Sequence, residues 1–218
     1  MEHKCMICGS STRVIHHPKI ADFHHCSTCD FIAKDKQHLI SKQEEFQIYE
    51  RHHNSIDDPV YVEYFNRFLL DAVFPFVQVG KQGFDFGSGP SPVLAQILKR
   101  DHDYQMDIYD LFYAPSQTYI DKQYDLITAT EVIEHLADPL KTFRLLAQLL
   151  NPNGILAIMT LFHHNDDKTF LTWHYIRDHR HISFCTPKTI EYIAAQVGLK
   201  MIYTNDLRYI TLVLDGVN

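Results

Sequence analysis

At 218 residues the chain fits one medium domain, or one domain with a small appendage. Apolar content of 45% suffices for a sizeable core, and the formal charge of −7 argues against a nucleic-acid partner. No apolar run approaches the roughly 20 residues needed to span a bilayer, and the opening MEHKCMICGSS has no signal-peptide apolar region; the expectation is a cytoplasmic protein without membrane attachment.

The first informative element is the cysteine pattern. Cys5 and Cys8 lie in CMIC, and Cys26 and Cys29 in CSTC, seventeen residues further on. Two C-x2-C knuckles at this separation have zinc-ribbon spacing, each placing two thiolates on one face of a tetrahedron. Disulfides are disfavoured in a reducing compartment, and a redox C-x2-C lacks its thioredoxin-like context here. With all four positions filled by cysteine no position stays open for water, so the expected zinc is structural. A segment of some 30 residues has too little core to fold alone, and the metal would supply its folding energy. The expected ribbon spans residues 1–36, and residues 37–58 are polar, charged and linker-like.

From Pro59, VYVEYFNRFLLDAVFPFV places Val62, Phe65, Phe68, Leu69 and Val73 at helical spacing. Strands and helices then alternate. QGFDF reads as a strand, SPVLAQILKR as a helix with Pro92 near its first turn, and YQMDIYD and QYDLITAT as strands. DPLKTFRLLAQLL is a helix capped by Asp138, GILAIMTLF a strand, TPKTIEYIAAQV a helix opened by Thr186 and Pro187, and LKMIYT and YITLVL the final strands. Strand–helix alternation implies an α/β fold with a Rossmann-like, doubly wound, mainly parallel sheet. The link between the last two strands is too short for a parallel crossover, so the last strand is expected to run antiparallel.

In such a sheet the ligand lies beyond the carboxyl ends of the strands. The turn after the first parallel strand is GSGPSP, a G-x-G without the third glycine and without the lysine of a phosphate-binding loop. Asp85 stands two residues before Gly87, where a carboxylate repels pyrophosphate but suits a cationic, amino-bearing ligand. Asp110 ends the next strand, where an acidic residue can accept from ribose hydroxyls. A ribose diol with a positive amino-bearing tail describes S-adenosylmethionine.

FDFGSGPSP, IYD, YDLITATEVIEHLADPLKTFRLLAQLLNPNGILAIMT and HISFCTPKTIEYIAAQVGL together resemble a class I S-adenosylmethionine-dependent methyltransferase, similar to the ubiquinone-biosynthesis O-methyltransferase-like branch. The resemblance covers roughly residues 45 to 214, and the methyltransferase domain is expected over 59–218. It implies cofactor contacts from Asp85, Gly87, Ser88 and Gly89, ribose contacts from Asp110, and adenine packing from Leu111 and Phe112. Thr130 and Glu131 would border the methionine end and the acceptor. The segment YERHHNSIDDPVY resembles a lid, with Tyr49, His53, Asn54 and Tyr61 at its matching places. Three departures stand out: Ser88 replaces a usual cysteine, Ser91 replaces a third glycine, and only the 12 residues LFYAPSQTYIDK separate the second strand from QYDLIT. A helix, strand and helix do not fit there, so the family's third strand is vestigial or missing.

The long connection at residues 163–183 holds Trp173, Tyr175 and His181, an aromatic wall suited to a dry acceptor pocket, to which His53 and Tyr61 are added. His135, His181 and Glu131 are the candidate general bases; each histidine could equally be a packed structural side chain. The expected function is methyl transfer to a small-molecule acceptor, at oxygen, by in-line displacement. The alternatives are an RNA-modifying methyltransferase docking nucleic acid through the ribbon, and a non-catalytic binder that retains the cofactor fold. The net charge of +1 over residues 1–36, against −8 over the rest, shows no basic stripe for RNA.

Overall fold

The computed structural model describes residues 3–50, 55–78 and 80–216. A six-stranded sheet runs in the order β5-β4-β6-β7-β10-β9, from β4 (Gln82–Phe86), β5 (Gln105–Tyr109), β6 (Tyr124–Thr130), β7 (Leu150–Met159), β9 (Leu199–Thr204) and β10 (Tyr209–Leu214). β5, β4, β6 and β7 are mutually parallel, and β10 runs antiparallel to both β7 and β9. The α/β class and the antiparallel last strand are as the sequence predicts. β5 is an edge strand, and the residues between β5 and β6 form turns and the isolated Asp110–Ala114 bridge. The missing third strand is therefore real.

Alternation along the central strands sends side chains to two cores. Ile155, Ala157 and Met159 of β7 join Phe65 and Phe68 of α2 (Pro59–Phe68) and Ile97 and Leu98 of α3 (Val93–His102). Leu156 and Ile158 face Phe143 and Leu146 of α4 (Pro139–Gln148) and Ile190 and Ile193 of α6 (Pro187–Val197). Pro at the first turn and an Asp or Thr cap start α2, α4 and α6. After α2 the chain widens into a π-helical turn over Leu69–Val73, and the Ala72 carbonyl accepts from Thr211 Oγ1 at 2.6 Å.

The N-terminal residues build a second, antiparallel sheet from β1 (Arg13–His16), β2 (Asp22–His25) and β3 (Ile32–Lys34). Its fourth strand comes from far along the chain: β8 (Ser183–Phe184) pairs with β3. Cys5, Cys26, Cys29 and Phe31 pack into the same core as α6 and Cys185. Buried polar contacts cross this boundary. Thr189 Oγ1 donates to the Cys29 carbonyl at 2.8 Å, and His163 Nε2 donates to the Asp30 carbonyl at 2.8 Å. The polar stretch after β3, which carries no apolar stripe, holds α1 (Lys42–Tyr49), begun by a capping box of Ser41 and Glu44. α5 (Asp167–Thr172) opens the long connection after β7.

Thr189 is fully buried, and its hydroxyl accepts from the Thr186 amide at the helix cap and donates to the Cys29 carbonyl. Thr189→Val keeps the shape but leaves a buried carbonyl without its donor, and should cost about 1–3 kcal/mol. A urea titration checks this; an unchanged midpoint would show that the contact across the boundary carries no stability.

Candidate active site

The parallel strands end on one side of the sheet, and the order β5-β4-β6 makes the end of β4 the point where connections diverge. The turn leaving β4 has Gly87 at φ +81° and Gly89 at φ +67°, a region that side chains rarely adopt. A Cβ at Gly87 would also collide with the Val132 side chain. The Gly87 and Ser88 amides donate to the Tyr109 carbonyl at 2.7 and 3.1 Å. Gly89 donates to Asp110 Oδ2 at 3.0 Å, while Asp110 Oδ1 accepts from the Phe112 and Tyr113 amides at 2.8 and 3.0 Å. Asp110 thus locks the turns after β4 and β5 together, and its oxygens keep lone pairs for further donors.

Asp85 is buried at 2% exposure and accepts from Thr128 Oγ1 at 2.8 Å. Burial, with a smaller push from the Asp110 charge, raises its carboxyl to about 6. Ser88 Oγ is buried without a hydrogen-bond partner. A buried carboxyl short of positive charge, an orphan hydroxyl and a carboxylate with spare acceptors fit a cationic ligand bearing hydroxyl groups. Phe112 lies 5.5 Å from Phe46 and 5.7 Å from Tyr49, so α1 covers this turn. Leu111 remains half exposed.

Thr130 ends β6, and Glu131 follows with φ +54°, an uncommon conformation for a non-glycine residue. Its oxygens are held from both sides: Oε1 accepts from Tyr64 at 2.6 Å and Oε2 from Tyr175 at 3.1 Å. Arg208 Nη1 donates to the Tyr64 hydroxyl at 3.2 Å. Tyr175 also meets Oε1 of the buried Glu134 at 2.5 Å, and Thr160 Oγ1 donates to Glu134 Oε2 at 2.8 Å. One phenol proton cannot serve two carboxylates. Burial first, and then the neighbouring Glu131, hold Glu134 well above the ordinary carboxyl range. Glu134 therefore keeps its proton and shares it with Tyr175, whose own proton turns to Glu131.

His135 and His181 meet edge to face with centroids 4.9 Å apart. His135 Nδ1 bonds the Arg180 carbonyl at 3.2 Å and His181 Nδ1 the Tyr175 carbonyl at 2.8 Å, so each ring presents Nε2 as its lone pair. Burial pushes His135 down to about 3, aided by His181 and Arg180, and burial also lowers His181. Arg180, held by both oxygens of Asp178, stacks 4.5 Å over Tyr49. Trp173 packs at 4.9 Å on Tyr175 and at 6.2 Å on Phe184. Tyr61 stacks on Tyr64, its ring 6.3 Å away. His53 lies outside the described residues.

The fold thus brings Asp85, Gly87, Ser88, Gly89, Asp110 and Phe112 together, and separately Glu131, His135, Tyr175 and His181. Sequence reading missed Tyr64, Glu134, Thr160, Arg180 and Arg208. Glu134 was legible as the second acid of EVIEH; Tyr64 and Arg208 carry no local signal.

The four cysteines form a third constellation. Cys5 and Cys29 sulfurs lie 3.6 Å apart and Cys8 and Cys26 sulfurs 3.4 Å, with all four within 4.8 Å. A tetrahedron with metal–sulfur bonds near 2.3 Å has edges of about 3.8 Å, so the donor set fits zinc.

A family model described as a methyltransferase domain matches residues 61–204. The ubiquinone biosynthesis O-methyltransferase of Histophilus somni (strain 2336) is 32% identical over 71 residues, 33% of this chain. The match spans only 28% of that protein's length. Among solved structures, the mitomycin 7-O-methyltransferase MmcR has a TM-score of 0.53 at 12% identity, covering 88% of this chain and 79% of that one. NcsB1, an O-methyltransferase from neocarzinostatin biosynthesis in complex with S-adenosylmethionine and 2-hydroxy-5-methyl naphthoic acid, has a TM-score of 0.52 at 13% identity, covering 80% and 61%. At such identities the likeness is one of fold. No helix among the described residues is long and apolar enough to cross a membrane.

Because Asp85 has its carboxyl raised, the neutral form stabilises the folded state. That contribution is full below the unfolded carboxyl's pKa of 3.8 and is lost as pH rises through about 6, on the order of 3 kcal/mol. Asp85→Asn should therefore be more stable than the parent at pH 7.5 and lose this advantage toward pH 4. Urea midpoints at the two pH values check this, and a constant difference would show that Asp85 titrates normally.

Proposed function

Because the chain belongs to the methyltransferase-domain family, matched over residues 61–204, we propose that it transfers a methyl group from S-adenosylmethionine to an oxygen of a small-molecule acceptor. The observation that carries this reading is the Asp110 carboxylate, hinged on the Gly89 amide at the ends of two parallel strands, beside the orphan Ser88 hydroxyl. The oxygen direction rests on the name of the curated relative.

Asp110 would accept the ribose hydroxyls, the Gly87–Gly89 backbone would lie along the methionine end with Asp85 and Thr130, and Leu111 and Phe112 would cover the adenine. When bound, the cofactor supplies an electrophilic methyl on a sulfonium. The chain's own work is to align the acceptor oxygen for in-line displacement, exclude water, and take the acceptor's proton. Asp85, carrying a raised carboxyl, ionises more readily once a cationic group lies beside it, which couples ligand binding to charge.

Among the candidate bases, His135 is held at about 3 by burial and is a weak proton acceptor near neutral pH; His181 is lowered in the same direction. Glu131 is the candidate that the geometry orients. Its backbone conformation aims the side chain between α2 and the long connection, and Tyr64 and Tyr175 set its orientation. His135 and His181 then shape the wall, with Tyr49 and Arg180 closing one side. Trp173 and Tyr61 support Tyr175 and Tyr64 from behind.

We assign the cysteine quartet to a structural zinc that leaves no position open to water. Trp173, the single tryptophan, packs on Phe184 of β8, which pairs with β3 of the cysteine-bearing sheet. Stripping zinc with a chelator should shift Trp173 emission to the red. Unchanged emission in metal-free protein would remove zinc from the architecture of this region.

Calorimetric titration with S-adenosylmethionine and S-adenosylhomocysteine tests the main reading. Micromolar binding is expected, weakened at least about tenfold in Asp110→Ala, equivalent to some 1.4 kcal/mol. No binding of either ligand by folded, zinc-loaded protein would sink it.

A further inference from the structure

The two cysteine knuckles repeat more than their cysteines. His3 stands two residues before Cys5, and His24 two residues before Cys26. Folding superimposes these offsets: the His3 and His24 rings stack with centroids 4.1 Å apart and planes 28° from parallel. Asp35, directly after β3, joins them through its Oδ2, 2.7 Å from His24 Nε2. One donor atom from each of His3, His24 and Asp35 lies within 4.8 Å of the others.

The Asp35 bond settles the His24 tautomer. A carboxylate only accepts, so Nε2 carries the hydrogen, and in the neutral ring Nδ1 carries a lone pair. That Nδ1 is buried and has no hydrogen-bond partner. A buried acceptor without a donor is costly, and a missing ion is one of the few explanations for it. A carboxylate that fixes the outer nitrogen of an imidazole while the inner one stays open is the arrangement proteins use to orient metal-binding histidines.

The three residues line a cavity of about 380 Å³, together with Phe31 and Thr12. Two lysines on its wall have other partners: Lys4 Nζ donates to Ser11 Oγ at 3.2 Å and Lys34 Nζ to the His179 carbonyl at 3.0 Å. Lys36 is exposed.

We propose that His3 and His24, the latter oriented by Asp35, bind one first-row divalent cation, separate from the metal of the cysteine quartet. Imidazole and carboxylate donors suit zinc, cobalt or nickel, whereas the quartet's sulfurs select softer ions. Two imidazole ligands leave the remaining coordination positions to water or to a ligand.

The test uses untagged full-length protein with its quartet already loaded with one zinc, titrated with Zn²⁺ by calorimetry. The parent should bind a second equivalent. His3→Ala and His24→Ala should lose it, and Asp35→Asn should weaken it about 10- to 100-fold. His3 is exposed, so its replacement does not threaten folding. In parallel, Co²⁺ added to metal-free samples reports the quartet through its thiolate charge-transfer absorption, which should be the same in all four proteins. A single equivalent in the parent, or a second event that persists in His3→Ala, would overturn the proposal.

Discussion

The pairing of β3 with β8 is the constraint on which the rest of the molecule depends. Ile32 pairs with Phe184 and Ala33 with Ser183, and the Lys34 amide reaches the Ile182 carbonyl at 2.9 Å. These few backbone bonds join a sheet organised by the first 34 residues to a connection that begins after β7. That connection carries Tyr175, Asp178, Arg180 and His181. Its path is therefore set from outside the large sheet, through main-chain pairing supported by Thr189, His163 and the shared apolar core. Exposed contacts such as Arg13 with Asp167 add little to this, because both side chains remain close to half in water.

Given that anchor, the strand ends become a place where carboxyl groups are kept in deliberately different states. Asp110 accepts from three backbone amides. Asp85, at the end of the neighbouring strand β4, is buried with one hydroxyl donor and is pushed toward the neutral form. The same contrast recurs between Glu131, held by two phenols, and Glu134, buried and held above the ordinary carboxyl range. In each pair one acid is buried and pushed toward its neutral form. Neutral His135 and His181, lowered by burial, complete a wall with little charge of its own.

Much of the large sheet was legible because its signals are local. Alternating strand and helix patterns, the Pro-led helix starts at Pro59, Pro139 and Pro187, and the glycines of the β4 turn all act within a few residues. That the third strand is vestigial or missing between Asp110 and Tyr124 was legible too, since a helix, a strand and a helix do not fit in so short a stretch. α1 was not, because its helix rests on a capping box and buries no residue. Tyr64 and Arg208 were also invisible: one lies on the amphipathic α2 among other aromatics and the other in a hairpin, and only folding makes them neighbours of Glu131.

The sequence by itself determined the α/β class, the antiparallel final strand, the acidic glycine turn and the cysteine quartet. Each follows from periodicity, spacing or loop length, which act over short stretches of chain. Tertiary structure alone decided that β8 completes the N-terminal sheet, that Glu131 is gripped by tyrosines from two distant segments, and that His3 stacks on His24. Those depend on contacts across long sequence separations, where burial sets the charge of each group, and no local pattern encodes burial of a polar side chain.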